Sequence, residues 1–178
     1  MNRANPNLDL DLLRARIRDV PDFPQQGVLF RDITPLLADP VAFRQAIDGI
    51  AMPFEGIEHV VAIESRGFIL GAPVAYRLGA GLVLVRKSGK LPSGTLREEY
   101  ALEYGTNAVE IHQDAIQPGE RVLIVDDVLA TGGTVRAAAN LVERLGATVV
   151  GISLLIELAF LAGRDRLAGY NVKSLLTY

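Results

Sequence analysis

Arg121-Val122-Leu123-Ile124-Val125-Asp126-Asp127-Val128-Leu129-Ala130-Thr131-Gly132-Gly133-Thr134 joins an apolar run to two adjacent carboxylates and then to a loop of small residues. Val122 to Val125 has the β-branched and Leu character of a strand buried on both faces. Val135 to Leu145 follows with helical spacing, its apolar positions at Ala137, Leu141, Val142 and Leu145. The turn between strand and helix therefore lies at the carboxyl end of a parallel strand, where open α/β sheets bind ligands. Gly132 and Gly133 permit close backbone approach, Thr131 and Thr134 supply hydroxyls, and the free N–H groups at a helix start favour an anion such as phosphate.

Asp126 and Asp127 narrow the choice of phosphate. Two acids beside a polyanion site are useful only if they face hydroxyls or a hydrated divalent cation, and a ribose 5-phosphate presents its phosphate to the loop and its 2- and 3-hydroxyls to the acids. A Walker reading fails because Gly89-Lys90 is followed by Leu91, with no Ser or Thr to hold magnesium. A dinucleotide fingerprint is also missing, since Gly79-Ala80-Gly81 leads into Leu82, Val83 and Leu84. The remaining alternative for the segment by itself is an ordinary strand-to-helix turn with a solvated Asp pair.

The segment resembles the 5-phosphoribosyl-1-pyrophosphate (PRPP) motif of the type I phosphoribosyltransferases. Transferases for several bases, PRPP synthetases and some regulators share that motif, so the rest of the chain has to discriminate. Its 178 residues, 49% apolar and 22% charged, suit one globular domain over 1–178. A net charge of -3 gives no support to sequence-independent nucleic-acid binding. Zero Cys excludes disulfides, thiolate metal sites and Cys nucleophiles and suits a reducing cytosol. Met1 to Asp11 lacks the apolar run of a secretion signal, and Val149 to Ala162, interrupted by Ser153 and Glu157, is too short to span a bilayer. A cytoplasmic protein without a membrane segment is expected.

Along the chain, helical spacing covers Leu8 to Val20 and ends before Pro21, and Pro21 to Pro35 is punctuated by Pro and Gly. A second helix is expected over Val41 to Ile50, with Asp39 as its cap and Pro40 in its first turn. His59 to Ile63, Gly67 to Leu78 and Leu82 to Val85 read as a βαβ unit. Alternation at Ala108, Glu110 and His112 suggests a hairpin arm within the polar stretch from Lys87 to Asp114. Thr148 to Glu157 is expected as a strand, Phe160 to Leu167 as a short helix and Val172 to Leu176 as a last strand.

Further segments are similar to one subfamily, the adenine phosphoribosyltransferases. Phe23-Pro24-Gln25-Gln26-Gly27-Val28-Leu29-Phe30-Arg31-Asp32-Ile33 resembles the subfamily's N-terminal hood (about 1–35), whose irregular backbone meets the edge of adenine. The resemblance makes Val28 and Arg31 base-site candidates, and an unmatched 6-oxo base would leave a buried donor or acceptor unpaired. Alone, the segment reads first as an exposed turn with a charged pair, Arg31 and Asp32. Glu64-Ser65-Arg66-Gly67-Phe68 resembles the pyrophosphate-contacting loop, with Glu64 where many members carry Asp; it assigns Arg66 to pyrophosphate and Phe68 to an apolar wall for the base. Without the resemblance, Arg66 reads as a surface ion pair and Phe68 as core.

Arg86-Lys87-Ser88-Gly89-Lys90-Leu91-Pro92 gathers three cations and resembles the pyrophosphate and loop-hinge segment, with Arg86, Lys87 and Lys90 as substrate contacts and Lys87 foremost; a solvated basic turn is the alternative. A flap (about 88–112) follows, its mobile stretch running from Lys90 to Gly105 and ending in Tyr100-Ala101-Leu102-Glu103-Tyr104-Gly105. Closure would exclude water from a ribosyl oxocarbenium-like transition state. Glu103 and Tyr104 are the acid/base candidates for the proton that adenine N9 loses, and Arg66 joins them as catalytic by holding the leaving pyrophosphate. Ala130, Thr131, Gly132, Gly133 and Thr134 would hold the 5-phosphate, and Leu158 would flank the base. His59 and His112 form no ligand pair by spacing.

The resemblance implies a doubly wound α/β fold with a parallel sheet, a hood and a flap hairpin. It implies a magnesium-dependent conversion of adenine and PRPP to AMP and pyrophosphate in purine salvage, by a homodimer. No residue is assigned as a direct metal ligand; Asp126 and Asp127 would meet magnesium through water or the ribose. Two other readings stay open. Transferases for guanine, hypoxanthine, xanthine or orotate share the motif but typically lack the hood and flap signatures. A PRPP-sensing regulator would need a DNA-binding appendage, for which the roughly 20 residues before the Phe23 to Ile33 segment are short.

Overall fold

The computed structural model describes residues 8–101 and 106–178. The chain opens with helix α1 (Leu10–Ala15), which Asp9 caps by accepting from the N–H groups of Asp11 and Leu12. The helix expected as far as Val20 stops early, because Arg18–Pro21 extends as strand β1 and pairs antiparallel with β2 (Leu29–Asp32). The Pro- and Gly-punctuated stretch thus holds a two-stranded ribbon and the short helix α2 (Thr34–Ala38), neither expected from periodicity. Long-range pairing, which no local pattern reports, overrides the helical spacing there. Helix α3 (Pro40–Ala51) begins as expected, with the Asp39 carboxylate accepting from Val41 and Ala42 and Pro40 in the first turn.

Strand β3 (His59–Ile63), helix α4 (Arg66–Leu78) and strand β4 (Gly81–Lys87) form the βαβ unit; α4 ends on Gly79 with φ +67°, a conformation glycine adopts without steric cost. Strands β5 (Thr95–Ala101) and β6 (Thr106–His112) make the arm, antiparallel to each other, and β6 pairs with the end of β4. Strand β7 (Arg121–Leu129), helix α5 (Gly133–Arg144), strand β8 (Thr148–Glu157) and strand β9 (Val172–Thr177) follow. Between β8 and β9 the expected short helix is two 3₁₀ turns, Ala159–Leu161 and Gly163–Leu167, separated by Ala162 at φ +51°.

The seven-stranded sheet has the order β5-β6-β4-β3-β7-β8-β9, with β4, β3, β7, β8 and β9 parallel. Successive residues of the central strands feed opposite faces. Val61, Ile63, Val122 and Ile124 pack with Ala138 and Leu141 of α5, while Val60, Leu123 and Val125 pack with Ile50 of α3 and Leu70 and Val74 of α4. The sheet is therefore doubly wound, as expected. From β3 the chain crosses outward to β4 and from β7 it crosses the other way to β8, so the gap between β3 and β7 is the topological switch point. Arg66 and Asp127 meet across it.

Candidate active site at the switch point

Strand β7 pairs with β3 only from Val122 to Val125 but continues beside β8 to Leu129. Asp126 and Asp127 are therefore strand residues at the point where one neighbour has ended, rather than loop residues. Asp126 Oδ1 accepts from the Asp127 N–H at 2.9 Å. It also packs against the start of α4, where a Cβ on Gly67 would lie 2.8 Å from that oxygen. Asp127 is buried, and Arg66 Nε stands 2.8 Å from its Oδ2. The approach is a close charge contact without hydrogen-bond alignment, so Asp127 Oδ2 has no donor among the described residues. A buried acceptor of this kind is costly unless a ligand satisfies it.

Burial, followed by the neighbouring Asp127 charge, pushes the Asp126 carboxyl well above the usual carboxylate range. Burial raises Asp127 as well, and Arg66 opposes the shift. Two acids that resist ionising together, beside a cation, form a site ready for hydroxyl donors or a hydrated cation.

Beyond Leu129 the chain turns through Ala130, Thr131 and Gly132 into α5. Gly132 has φ +79°, and the Gly132 carbonyl accepts from the Arg136 N–H at 2.9 Å. Asp126, Val128 and the run Ala130 to Val135 enclose a cavity of about 70 Å³, the scale of one small anion. The helix start that opens on it has no side-chain cap, so its N–H groups are available.

Opposite, Arg66 begins α4 with its guanidinium 4.9 Å from the centre of the Phe30 ring, which ties the ribbon to the switch point. Phe68 is half-buried and belongs to neither core cluster. Glu64 fastens the next loop by accepting from Arg86 Nε (3.1 Å), Arg86 Nη2 (3.3 Å) and the Lys87 N–H (3.0 Å). Burial raises the Glu64 carboxyl, but these hydrogen bonds outweigh it and hold the group below its ordinary range. Arg86 Nη1 donates to the Lys90 carbonyl at 3.0 Å, and Glu110 of the arm accepts from Ser88 Oγ and the Gly89 N–H. The loop backbone is thereby held from both sides, while the Lys87 and Lys90 side chains are exposed.

In the ribbon, Val28 lies in a turn that uses its own peptide groups: its N–H donates to Gln25 and its carbonyl accepts from Phe23. Arg31 pairs with Asp19, and its guanidinium lies 3.9 Å from the centre of the Tyr178 ring. Its side chain thus fastens the ribbon to the end of β9. Leu158 follows β8, and its N–H donates to the Leu129 carbonyl at 2.9 Å, next to the Ala130 to Thr134 turn. Glu103 and Tyr104 lie outside the described residues. His59 Nε2 is 3.0 Å from Glu120.

Sequence reasoning left out three contributors: Phe30 beneath Arg66, Glu110 behind the basic loop, and Gly163 against the cradle. Each acts through contacts between distant segments, which neither the hood resemblance around Phe30 nor the alternation at Glu110 reports. Among the described residues no three or more His, Cys, Asp or Glu gather as a metal site, and no helix is long and apolar enough to cross a membrane.

Residues 44–174 match the model of the phosphoribosyl transferase domain. An adenine phosphoribosyltransferase from Thermobifida fusca is 60% identical over 168 residues, covering 93% of this chain and 96% of that protein. The crystal structure of adenine phosphoribosyltransferase from Thermoanaerobacter pseudethanolicus superposes with a TM-score of 0.92 at 52% identity, covering 96% of this chain and 100% of that one. The Saccharomyces cerevisiae enzyme, crystallised with an imino-altritol bisphosphate and adenine, has a TM-score of 0.89 at 40% identity over 94% and 98% of the two chains. With the fold, the switch-point cradle and these likenesses together, the chain belongs to the phosphoribosyl transferase family, in its adenine phosphoribosyltransferase branch.

Proposed function

We propose that this protein transfers the phosphoribosyl group of PRPP to adenine, forming AMP and pyrophosphate in purine salvage. The observation that carries the reading is Asp127 Oδ2, a buried acceptor without a donor, next to an uncapped helix start that frames a small cavity. A ribose 5-phosphate satisfies both at once, with hydroxyls to the acids and phosphate to Ala130, Thr131, Gly132, Gly133 and Thr134. Relatives named for adenine as substrate supply the base.

In this reading the C1–N9 bond forms as the bond from C1 to pyrophosphate breaks. Arg66, Arg86, Lys87 and Lys90 stabilise the leaving pyrophosphate, and Glu64 holds Arg86 and the Lys87 peptide in place for that task. Val28, Arg31, Phe68 and Leu158 shape the base pocket under the hood (about 1–35). The flap (about 88–112) carries Glu103 and Tyr104 to the imidazole edge, where one of them takes the N9 proton, and its closure excludes water. The chemistry a bound magnesium ion supplies is neutralisation of pyrophosphate charge. The orphaned Asp127 oxygen fits such an ion, and Asp126 and Asp127 would meet it through water or the ribose hydroxyls.

The whole chain, 1–178, acts as one domain and works in the cytoplasm. It pairs as a homodimer through Ile69 and Tyr76, seven residues apart on α4, and Leu82 on β4, which are 46%, 91% and 42% exposed.

The test offers PRPP and magnesium with adenine, hypoxanthine, guanine, xanthine or orotate in separate reactions and measures nucleotide and pyrophosphate. AMP from adenine alone is expected. Turnover of another base would overturn the hood assignment, and tight PRPP binding without turnover of any base would overturn the enzymatic reading.

A further inference from the structure

The anion cradle rests on a segment that sequence motifs do not mark. An ideal Cβ on Gly163 would lie 2.0 Å from the Ala130 carbonyl oxygen and 2.9 Å from the Gly132 nitrogen. Conversely, a Cβ on Gly132 would lie 2.3 Å from the Gly163 carbonyl oxygen. The two backbones meet with no room for a side chain on either, so the shape of the cradle depends on where Gly163 is held.

The next residue does the holding. Arg164 Nε donates to Glu157 Oε1 at 2.9 Å, and its Nη2 donates to Glu157 Oε2. Its Nη1 donates to the Val172 carbonyl at 3.1 Å, and Ser174 Oγ donates to Glu157 Oε2 at 2.8 Å. Glu157 ends β8 in register with Leu129, the last residue of β7 before the cradle, and with Thr177 of β9. The Glu157 side chain is 10% exposed and that of Arg164 47%, and the two-pronged geometry sets the pair apart from a single-contact surface bridge. Further on, Leu167 is buried against the α5 side of the core, Tyr170 Oη donates to Glu143 at 2.7 Å, and Arg136 lies over the Tyr170 ring. The segment Gly163 to Tyr170 therefore grips α5 along its length as well as at its start.

We propose that Gly163 to Tyr170, fastened by the Glu157–Arg164 pair, is a positioning device that holds the Ala130 to Thr134 cradle in its anion-binding shape. Glu157 and Arg164 are positioning residues: the Arg164 guanidinium donates to Glu157, the Val172 carbonyl and Ser174, and reaches the cradle through the neighbouring Gly163. The cradle tolerates small displacements poorly, because N–H groups must converge on one anion. The proposal rests on the reading that this cradle holds the 5-phosphate.

The test measures KM for PRPP and for adenine in Arg164→Gln, Arg164→Lys and Glu157→Gln, together with binding of ribose 5-phosphate by calorimetry. Loss of the forked, charge-assisted pair is expected to raise KM for PRPP about tenfold in Arg164→Gln and less in Arg164→Lys, which keeps the charge. Ribose 5-phosphate affinity should fall in parallel, while KM for adenine stays within about twofold. A merely structural role would lower thermal stability and the active fraction with both KM values unchanged, and that result would overturn the proposal. Thr134→Ala separates the two readings. If it raises KM for PRPP and the Arg164 variants do not, the positioning device is wrong and the cradle stands; if neither changes it, the cradle reading itself is wrong.

Discussion

Arg66 Nε stands 2.8 Å from Asp127 Oδ2 across the gap between β3 and β7, yet the two are not aligned as a hydrogen bond. The pair joins the first turn of α4 to the strand that leads into the Ala130 to Thr134 turn. In the proposed function, the unpaired Asp127 oxygen accepts from a substrate hydroxyl and Arg66 donates to the leaving pyrophosphate. Asp127→Asn removes the charge that holds both. Turnover should fall roughly ten- to hundredfold, as expected for loss of a charged hydrogen-bonding partner. Initial-rate measurements at saturating adenine check this, and unchanged turnover would remove Asp127 from the site.

Asp126 gives a stability prediction of defined sign. Its folded-state pKa is raised, by burial first and the Asp127 charge second, so the folded protein favours its protonated form more than the unfolded chain does. That contribution is fully present below the ordinary carboxylate pKa and is lost as pH rises through the raised value. Asp126→Asn does not ionise. Its melting temperature relative to the parent should therefore climb from pH 4 to pH 8, while its turnover drops. A constant offset across the same thermal melts would show that Asp126 does not titrate in that window.

Arg31 is held between Asp19 and the Tyr178 ring, so its side chain ties the β1–β2 ribbon to the carboxyl end of β9. Arg31→Ala should raise KM for adenine by roughly three- to tenfold, the scale of a lost partly buried cation–π contact, and change PRPP binding less. Tyr178→Ala should reproduce the effect and Tyr178→Phe should not, because the ring face is kept. Equal losses for both substrates would contradict the placement of the ribbon over the base.

Tyr76 is 91% exposed on α4, and Ile69 of the same helix and Leu82 of β4 are exposed as well. If that surface joins two copies, Tyr76→Glu places an unpaired charge in the contact and should shift the protein from dimer to monomer in sedimentation velocity at micromolar concentration. A dimer of unchanged strength would move the contact to another face.

Much of the architecture was legible because it depends on local pattern. The apolar runs His59–Ile63 and Thr148–Glu157 are strands with the bounds expected, and Asp39-Pro40 starts α3 as its capping chemistry requires. The turn at Ala130 to Thr134 was legible for the same reason: an apolar strand, a run of small residues and a helical spacing follow one another, and the structure has the strand ending at Leu129 and the helix starting at Gly133. The ribbon was not, since β1 and β2 exist only by pairing with each other, and Leu8 to Val20 kept its helical spacing into residues that the ribbon takes.

The sequence by itself determined the βαβ unit from His59 onward and the strand, small-residue turn and helix that run from Val122 to Leu145, because hydrophobic period and turn chemistry act between residues close in the chain. Tertiary structure alone decided which distant groups meet. It set Asp126 and Asp127 on the strand beyond the end of β3, brought Arg66 to Asp127 over the Phe30 ring, and fastened Glu64 to Arg86. It also pressed Gly163 against Ala130 and Gly132, with Arg164 locked to Glu157. Those contacts follow from strand order and register across the switch point, and spacing along one chain carries no record of register between strands.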